Sequence, residues 1–413
     1  MGVYWGFPMN MTRDLQLHYG RSPWMGPGTV AIPFSPMTRD RKADVVIVGA
    51  GISGAMIGDA LTEDGHAVII LDGRKPASGS TAASTALLQY EIDTPLSTLS
   101  KQIGLERAQR VWRRSRLALS ALRERQCRLG IDADCRVRES LYLEGNVLDA
   151  SELEAEARAR QRAGLEVRFM SRSAVRDEYG ISKRAGILGY NNLSANPRRL
   201  AAGFLAAACA RGAKIFSPAL LQDVETDNSG VVAKTHQGPQ IRARHLVFAT
   251  GYEIPVGVPR KNHSITSTWA MATAPQPRAL WPTGCMIWEA SDPYLYLRPT
   301  ADGRVICGGE DEPFENESLR NQLLDSKTHT LQRKLRQMFP SLKVEAEFRW
   351  CGSFGASSTG MPSIGRVPGM PNCYAVLGYG GNGITFSMIG AQIIRTQLRG
   401  ERDPDAHLFS FWR

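Results

Sequence analysis

Three glycines and one aspartate near the start of the chain have the spacing of a phosphate-binding turn. Gly49, Gly51 and Gly54 form a G-x-G-x-x-G pattern, and Asp72 follows about twenty residues later. In such a turn the first glycine permits a tight bend, the second lets the backbone approach a pyrophosphate, and the third lets a helix pack closely on a strand. The aspartate can accept hydrogen bonds from ribose hydroxyls. These residue types predict a dinucleotide-binding site.

The same stretch contains the elements that must position these residues. Residues 45–48 are an unbroken β-branched run, which is typical of a parallel strand buried on both faces. An amphipathic helix follows the turn to about Asp64, and a second apolar strand, 67–71, ends on Asp72. The helix start would direct its free N–H groups and its positive dipole end toward the phosphates. This order of elements favours a dinucleotide site over a plain strand–helix turn.

Three later segments could also bring their backbone close to a ligand. Residues 77–88 are almost all small, and they lead directly into Ala86-Leu87-Leu88, which argues against the alternative of a flexible linker. A strand ends in Ala249-Thr250-Gly251. The loop Gly380-Gly381-Asn382-Gly383 precedes an apolar helix over 384–398, whose positive end would face that loop.

Composition describes an ordinary globular protein. The chain has 413 residues, 43% of them hydrophobic and 22% charged, which suits two closely associated domains. The net charge of +10 favours acidic ligands, although the arginines of 107–128 are typical of one solvated helix face. Seven cysteines without a CxxC pair predict reduced thiols in a cytoplasmic protein and no metal site. No apolar run approaches the length of a membrane span.

The first 42 residues have two interpretations. They contain several prolines and glycines, which suits a poorly ordered leader. Their aromatic density instead favours an arm lying over the body, with Tyr4, Trp5, Phe7 and Trp24 as anchors.

Four separated blocks together resemble the FAD-dependent amine and amino-acid oxidases of the D-amino-acid oxidase and glycine oxidase superfamily, nearest the γ-glutamylputrescine-oxidase-like branch. The blocks are Gly49–Asp72, Ser80–Leu88, Ala249–Gly251 and a C-terminal region with Trp350–Phe354, Gly360–Arg366 and Gly378–Ile384. The resemblance covers nearly everything from Ala43 to Phe411. It implies an α/β fold, with α+β character in the second domain. A Rossmann-like FAD-binding domain would accompany a mixed-sheet substrate domain of the D-amino-acid oxidase type.

The resemblance also implies a discontinuous domain arrangement. The FAD-binding domain would comprise 43–95, 190–255 and 345–413, the substrate domain 96–189 and 256–344, and the arm 1–42. FAD would be bound by residues of the four blocks together with Val224: Gly49, Gly51, Ile52, Ser53, Gly54, Asp72, Gly73, Arg74, Ser80, Thr81, Ser84, Thr85, Ala86, Leu87, Val224, Ala249, Thr250, Gly251, Gly352, Gly380, Gly381, Asn382, Gly383 and Ile384.

The prediction of the residues that contact substrate depends on the alternation pattern of one strand. Alternation puts Tyr294, Tyr296 and Arg298 on one face, and we expect Tyr296 and Arg298 to contact substrate over the flavin. A cation beside tyrosines would suit a carboxylate or another anionic group. The alternatives are that this face meets solvent or that Arg298 pairs with a nearby acid.

Two departures from the family pattern bear on substrate and cofactor. Phe354 stands where amino-acid oxidases of the superfamily have a carboxylate-binding arginine, which disfavours a simple α-amino acid held in that manner. Monomeric sarcosine oxidases have a lysine in the strand that here reads Val305-Ile306-Cys307, where this sequence is apolar. They also have a cysteine that binds FAD covalently, and Cys351 of this sequence stands one place away from that position. We therefore predict non-covalent FAD.

The implied activity is oxidation of a C–N bond in a small amine or N-substituted amino acid. A hydride would pass to the flavin, water would hydrolyse the imine, and dioxygen or another acceptor would take the electrons. Two alternatives remain open: an RNA-modifying flavoenzyme acting on an aminomethyl nucleoside, and a flavin-binding subunit of a hetero-oligomeric dehydrogenase. Nucleic acid is disfavoured as a partner, because the sequence lacks a basic cluster interleaved with aromatic residues.

Overall fold

The computed structural model of the protein describes residues 11–12, 15–26, 31–260 and 263–413. Within these ranges the strands are, in chain order, β1 (His18–Arg21), β2 (Arg41–Lys42), β3 (Val45–Val48), β4 (Val68–Leu71), β5 (Leu87–Leu88), β6 (Arg136–Leu143), β7 (Val167–Met170), β8 (Gly186–Ser194), β9 (Lys214–Phe216), β10 (Leu221–Asp227), β11 (Gly230–Thr235), β12 (Gln240–Ala243), β13 (His245–Gly251), β14 (His263–Thr273), β15 (Met286–Glu289), β16 (Leu295–Pro299), β17 (Val305–Glu312), β18 (Ala346–Ser357), β19 (Ser363–Arg366) and β20 (Cys373–Leu377). The α-helices are α1 (Ile52–Glu63), α2 (Ser80–Ala83), α3 (Leu96–Ile103), α4 (Leu105–Arg128), α5 (Ala150–Arg162), α6 (Arg172–Tyr179), α7 (Pro197–Ala210), α8 (Glu317–Gln322), α9 (Leu324–Met338) and α10 (Gly383–Leu398).

A six-stranded sheet carries the glycine-rich turn. Its order is β19-β20-β13-β3-β4-β9, and every pairing except that of β19 with β20 is parallel. In β3, Val45 and Ile47 pack toward the helices, while Val46 and Val48 pack toward a four-stranded sheet of order β10-β11-β12-β2. All four side chains are buried. The prediction of a parallel strand covered on both faces is confirmed, since neither face of β3 meets water.

Helices α1, α7, α10 and α4 cover one face of this sheet. Helix α1 packs against α7 and α10, and α4 packs against α10. Arg110, Arg114 and Arg125 of α4 form ion pairs with Asp405, Asp403 and Asp59 respectively. The arginine-rich helix therefore presents a partly neutralised surface rather than one uniformly solvated basic face.

A ten-stranded mixed sheet forms the second body. Its order is β1-β18-β14-β17-β16-β15-β6-β8-β5, with β7 also paired to β8. Strand β18 pairs along its length with β14, so it belongs to this large sheet and not to the FAD-binding part. The resemblance implies that residues 345–413 belong to the FAD-binding domain, and we propose instead that this part of the domain begins after Ser357, because β18 completes its hydrogen bonds within the large sheet. The fold class, a parallel α/β sheet beside a larger mixed sheet, is confirmed.

The described part of the N-terminal segment lies on the body. Strand β1 joins the edge of the large sheet by pairing with β18, and Trp24 is only 8% exposed. Trp24 is therefore an anchor as the sequence predicts. The other expected anchors, Tyr4, Trp5 and Phe7, fall outside the described residues.

Over the ranges that the structure describes, no helix is both long and apolar enough to cross a bilayer. The same ranges contain no cluster of His, Cys, Asp and Glu side chains able to hold a metal ion. All seven cysteines lie in the described part and are free thiols.

Candidate active site

The turn between β3 and α1 has a shape that only glycine allows at two positions. Gly49 has a φ of 113°, and a Cβ there would overlap the carbonyl oxygen of Ala249 on the neighbouring strand. A Cβ on Gly54 would overlap the carbonyl oxygen of Gly49. Helix α1 begins at Ile52, and its N-cap, Gly51, makes no side-chain capping bond. The N–H of Ile52 bonds the Thr81 hydroxyl, and the N–H groups that follow it in the first turn lie beside the space in front of the glycine-rich turn.

Asp72 closes the other side of this turn at the end of β4. Its carboxylate accepts hydrogen bonds from the backbone N–H groups of Ala50 and Arg74, each at 2.8 Å. Burial raises the pKa of Asp72, and these two backbone donors act in the opposite direction. A carboxylate held in this way is fixed in place and keeps further lone pairs for ribose hydroxyls.

The small-residue segment 79–87 forms one wall in front of the turn. The hydroxyl of Thr81 accepts a hydrogen bond from the N–H of Ile52 at 3.0 Å, which ties the wall to the start of α1. The hydroxyl of Ser84 accepts from the N–H of Ala86 at 3.1 Å, where the backbone has a φ of 53°. The wall is thus an ordered structure and not a flexible linker.

One cavity runs from the glycine-rich turn to the large sheet. The predicted cofactor-binding residues that line it are Gly49, Gly51, Ile52, Ser53, Asp72, Gly73, Arg74, Ser80, Thr81, Ser84, Thr85, Ala86, Leu87, Ala249, Thr250, Gly251, Gly352, Gly381, Asn382, Gly383 and Ile384. They come from four distant parts of the sequence. The fold therefore brings together the segments that the resemblance singled out.

Three predicted cofactor-binding residues lie outside the cavity lining. Gly54 lets α1 pack closely on the turn, which is the role predicted for the third glycine of the pattern. Gly380 accepts a hydrogen bond from the hydroxyl of Tyr252 at 3.2 Å. Val224 is a correction: it lies within β10, a strand of the four-stranded sheet, and packs against the apolar cluster between that sheet and the six-stranded sheet. Ala219 and Leu220, just before β10, line the cavity instead.

Buried polar atoms in the lining fit a polar ligand such as FAD. The Ser80 hydroxyl, the Gln89 amide nitrogen and the Asn382 amide oxygen have no hydrogen-bond partner among the described residues. Buried polar groups without partners cost free energy, so native proteins seldom retain them unless water or a ligand satisfies them. Together with the glycine turn, the helix start and Asp72, these atoms make a cradle that fits a dinucleotide.

The loop before α10 is held against the segment that follows β5. The Asn382 side-chain amide donates to the carbonyl of Glu91 at 2.8 Å, and the Thr385 hydroxyl donates to the carbonyl of Gln89 at 2.8 Å. The N–H of Gly381 donates to the carboxylate of Asp93 at 2.7 Å. The first turn of α10 lines the cavity, so its positive dipole end faces the ligand space, as the sequence predicts.

Arg298 requires a correction. Within the described residues it does not line the cavity, and its guanidinium donates to the carbonyls of Thr85, Ala195 and Pro299 at 2.7, 2.8 and 3.2 Å. Burial lowers the pKa of Arg298 to about 9. Tyr294 and Tyr296, from the same strand face, do line the cavity. This face of the strand therefore extends beyond the cavity, and Arg298 at its end bonds the small-residue wall through the carbonyl of Thr85 instead of contacting substrate.

Aromatic side chains enclose the end of the cavity at the large sheet. Trp288 stacks on Tyr142 with ring centroids 3.8 Å apart, and Tyr294 lies beside Tyr296 at 5.4 Å. Tyr252 and Phe354, which also line the cavity, meet edge-on. This end is therefore apolar and well shielded, which suits the reacting part of a small substrate.

Asp93 is a residue that the sequence reading missed. It lines the cavity, and its side chain is exposed to that space. Burial raises the pKa of Asp93, partly offset by the N–H of Gly381, and Asp93 interacts electrostatically with Tyr252 and Tyr294. The sequence feature that could have identified Asp93 is its position soon after the small-residue segment, at the end of Tyr90-Glu91-Ile92-Asp93.

A second carboxylate lies close to the aromatic end. Burial raises the pKa of Asp311 to about 7, and the carboxylates of Asp93, Asp292 and Glu310 act in the same direction. By contrast, Arg74 is the single lysine or arginine among the described lining residues, and it lies beside Asp72. The titratable groups near the aromatic end are therefore carboxyl groups with raised pKa values, and a bound cation would favour their ionised form.

Comparison with known proteins gives consistent matches. The model of the family described as FAD dependent oxidoreductase (DAO) matches residues 44–396. The gamma-glutamylputrescine oxidoreductase of Escherichia coli (strain K12) is 24% identical over 386 residues, covering 90% of this chain and 87% of that protein. The glycine oxidase of Geobacillus kaustophilus (strain HTA426) is 24% identical over 377 residues, covering 86% of this chain and 92% of that protein.

Solved structures share the fold. The glycine oxidase from Geobacillus kaustophilus superposes with a TM-score of 0.72 at 22% identity, covering 90% of this chain and 98% of that chain. The L-proline dehydrogenase from P. horikoshii gives a TM-score of 0.74 at 16% identity, covering 90% and 97%. Since the family match spans most of the sequence and its motifs converge on one cavity, the protein belongs to the FAD-dependent oxidoreductase family.

Proposed function

We propose that this FAD-dependent oxidoreductase oxidises a C–N bond of a small amine that enters the cavity as a cation. The single observation that carries the proposal is the placement of charge in the lining. Asp93 lies at the aromatic end, whereas the lining arginine, Arg74, lies at the dinucleotide end. An ammonium group would find a carboxylate and aromatic faces there, and both attract cations. A substrate carboxylate at the aromatic end would find no guanidinium partner there, because Arg74, the arginine of the described lining, lies at the dinucleotide end.

The relatives support an amine-directed chemistry. One is named for the oxidation of gamma-glutamylputrescine and another for the oxidation of glycine. The first of these substrates carries an amine far from its amino-acid end. We infer that the present cavity takes an amine of that general kind, because Arg298 is withdrawn and Phe354 lines the cavity where a carboxylate-binding arginine was expected.

The chain's own residues account for binding, shielding and proton handling. When bound, FAD supplies a hydride acceptor and a route for two electrons to an external acceptor. Asp93 holds the ammonium, and its raised pKa brings its carboxylate closer to accepting a proton from that group. Trp288, Tyr294 and Tyr296 exclude water and fix the orientation of the reacting carbon. Loss of a hydride from the neutral amine leaves an iminium ion, which water converts to a carbonyl compound with release of ammonia or of an amine.

Anaerobic reduction of the flavin by a substrate panel tests this proposal. The panel contains putrescine, gamma-glutamylputrescine, sarcosine and glycine, and the loss of oxidised-flavin absorbance is followed for each. We expect the amines to reduce the flavin faster than the two amino acids, with one carbonyl product formed per flavin reduced. Reduction by sarcosine or glycine alone would contradict the assignment of an amine substrate.

We predict that FAD is bound non-covalently. Among the described residues that line the cavity there is no cysteine. Cys351 is fully buried, and its thiol donates to the side chain of Asn321 at 3.5 Å, while its neighbours Trp350 and Gly352 line the cavity. Acid precipitation of the purified protein should release the yellow colour into the supernatant. Flavin that stays on the washed pellet would show a covalent bond.

The electron acceptor is a second property that the lining helps to predict. A positive charge beside the flavin lowers the barrier for forming superoxide from dioxygen. Ile306, in the strand where sarcosine oxidases have a lysine, is instead buried in an apolar cluster with Trp24 and Trp350. We expect the substrate-reduced protein to be reoxidised faster by an acceptor dye than by air-saturated buffer. One reduced sample divided between the two solutions gives the comparison, and faster reoxidation in air would contradict it.

The two alternative functions gain no support from these observations. The arginines of α4 that would form a basic patch are partly paired with carboxylates, as Arg110, Arg114 and Arg125 illustrate. The enclosed aromatic end is suited to a small substrate. Neither an aminomethyl nucleoside in RNA nor a purely structural flavin subunit is proposed.

A further inference from the structure

The N-terminal strap, defined as residues 15–26, lies ahead of the family-matched region 44–396 and still contacts the cofactor cavity. Its strand β1 adds to the edge of the large sheet by pairing with β18. Leu17 of the strap lines the cavity, and its carbonyl accepts a hydrogen bond from the N–H of Ser353 at 3.0 Å. The strap is therefore part of the cavity's surroundings and not only of the protein surface.

Three strap side chains bind backbone carbonyls of the small-residue wall or of Ser78, the residue directly before it. The His18 Nε2 lies 2.8 Å from the carbonyl oxygen of Ser78, and a carbonyl can only accept, so Nε2 carries the hydrogen. The Ser22 hydroxyl donates to the carbonyl of Ala82 at 2.7 Å. The indole Nε1–H of Trp24 donates to the carbonyl of Ser84 at 2.8 Å. The strap thus follows the wall and binds it at successive points.

The large sheet binds the same wall at two further positions. The indole Nε1–H of Trp350 donates to the carbonyl of Ala83 at 2.8 Å, and Arg298 donates to that of Thr85 at 2.7 Å. The Arg298 guanidinium also lies over the Trp24 ring, 5.4 Å from its centroid. These bonds fix the peptide planes of the wall from two sides.

A buried arginine anchors the strap to the large sheet. The Arg320 guanidinium donates to the carbonyl of Gln16 at 2.7 Å and to the hydroxyl of Ser353 at 2.6 Å. Arg320 is fully buried, so its bonds are shielded from competing water. The anchor keeps His18, Ser22 and Trp24 in reach of the wall.

We propose that the strap is a second cofactor-positioning element, in which His18, Ser22 and Trp24 hold the wall in the conformation that binds FAD. A segment of small residues loses much conformational entropy when it is ordered. Bonds that order the wall before the ligand arrives remove this cost from binding. The proposal concerns the family cofactor and holds whichever amine is the substrate.

Replacing the Trp24 donor tests the proposal directly. Trp24→Phe removes the indole N–H and keeps an aromatic ring under Arg298. We expect about five- to tenfold weaker FAD binding, the size of one lost hydrogen bond to a buried carbonyl. The holoenzyme is diluted in a series, and the flavin fluorescence that appears on release gives the dissociation constant. Ser22→Ala should weaken FAD binding in the same direction.

Trp281→Phe is the matched control. Trp281 is also buried, and its Nε1–H donates to the carbonyl of Cys285 at 2.9 Å, outside the cavity lining. It should lose a similar amount of thermal stability without a change in FAD affinity. Equal FAD dissociation constants for Trp24→Phe and wild type, or an equal loss of affinity in Trp281→Phe, would overturn the proposal.

Reciprocal coupling gives a second readout that does not depend on activity. If the strap stabilises bound FAD, added FAD must stabilise the docked strap by the same free energy. Arg21 is exposed but lies within β1, so trypsin can cut after it only when the strap leaves the sheet. Saturating FAD should slow this cut, identified by peptide mass, in wild type more than in Trp24→Phe. An unchanged rate in wild type would contradict the coupling.

Discussion

Gly51→Val is expected to give a folded protein that binds FAD at least about 100-fold more weakly, which corresponds to about 2.7 kcal/mol. Gly51 has φ and ψ of −80° and −169°, a conformation that valine adopts readily, so the backbone should not be strained. A Cβ at this position already lies 3.2 Å from the Thr81 hydroxyl. The two methyl groups would extend into the space in front of the turn, where overpacking excludes the ligand.

Gly26→Val is a suitable control for that variant. Gly26 has φ and ψ of −75° and 175°, nearly the same extended conformation, and a Cβ there would have its nearest neighbour 3.9 Å away. This variant should remain yellow after gel filtration, and Gly51→Val should be colourless with an unchanged far-ultraviolet circular dichroism spectrum. Normal flavin content in Gly51→Val would show that the turn does not bind the dinucleotide.

Asp93→Asn is expected to lower kcat/KM for a cationic amine about 30- to 100-fold, mainly through a higher KM. The loss corresponds to about 2–3 kcal/mol, within the range for a hydrogen bond to a charged group. The asparagine oxygen can still accept the N–H of Gly381, so the loop before α10 should keep its position. The measurement is the substrate dependence of flavin reduction under anaerobic conditions, with flavin content determined for each preparation.

Asp292→Asn provides the matched control for the lost charge. Asp292 is exposed and lies outside the cavity lining, although its carboxylate acts on the pKa of Asp311 near the aromatic end. Its removal should change kcat/KM by less than about twofold, as screening by solvent makes a surface charge weak. Equal effects of the two substitutions would mean that Asp93 acts only through the overall electrostatic potential of the protein and not through direct contact with the ammonium group.

The dinucleotide unit could be predicted because its parts are local in sequence. The strand, the glycine turn, the helix and Asp72 follow one another, and each requires its residue type for a reason of backbone geometry. The structure places β3 at Val45–Val48 and α1 at Ile52–Glu63, close to the predicted ranges. Family resemblance then joined this unit to the distant segments that complete the cavity.

The substrate end could not be predicted in the same way. Alternation in β16 indicated which residues share a face, but it could not show that this face continues past the cavity, where Arg298 meets the carbonyls of Thr85 and Ala195. The carboxylate of Asp93 accepts a hydrogen bond from the N–H of Gly381, which is 288 residues away in sequence. The pairing of β18 with β14 is likewise a tertiary contact. Such contacts decide which charges reach the ligand.

The most direct test of the proposed amine specificity compares two substrates that differ only by a carboxylate. Putrescine and ornithine have the same chain and the same terminal amines, and ornithine adds an α-carboxylate. Like charges placed together in a desolvated site cost several kcal/mol. The second-order rate constant for anaerobic flavin reduction should therefore be at least about 100-fold larger for putrescine. An equal or larger rate constant for ornithine would contradict the account.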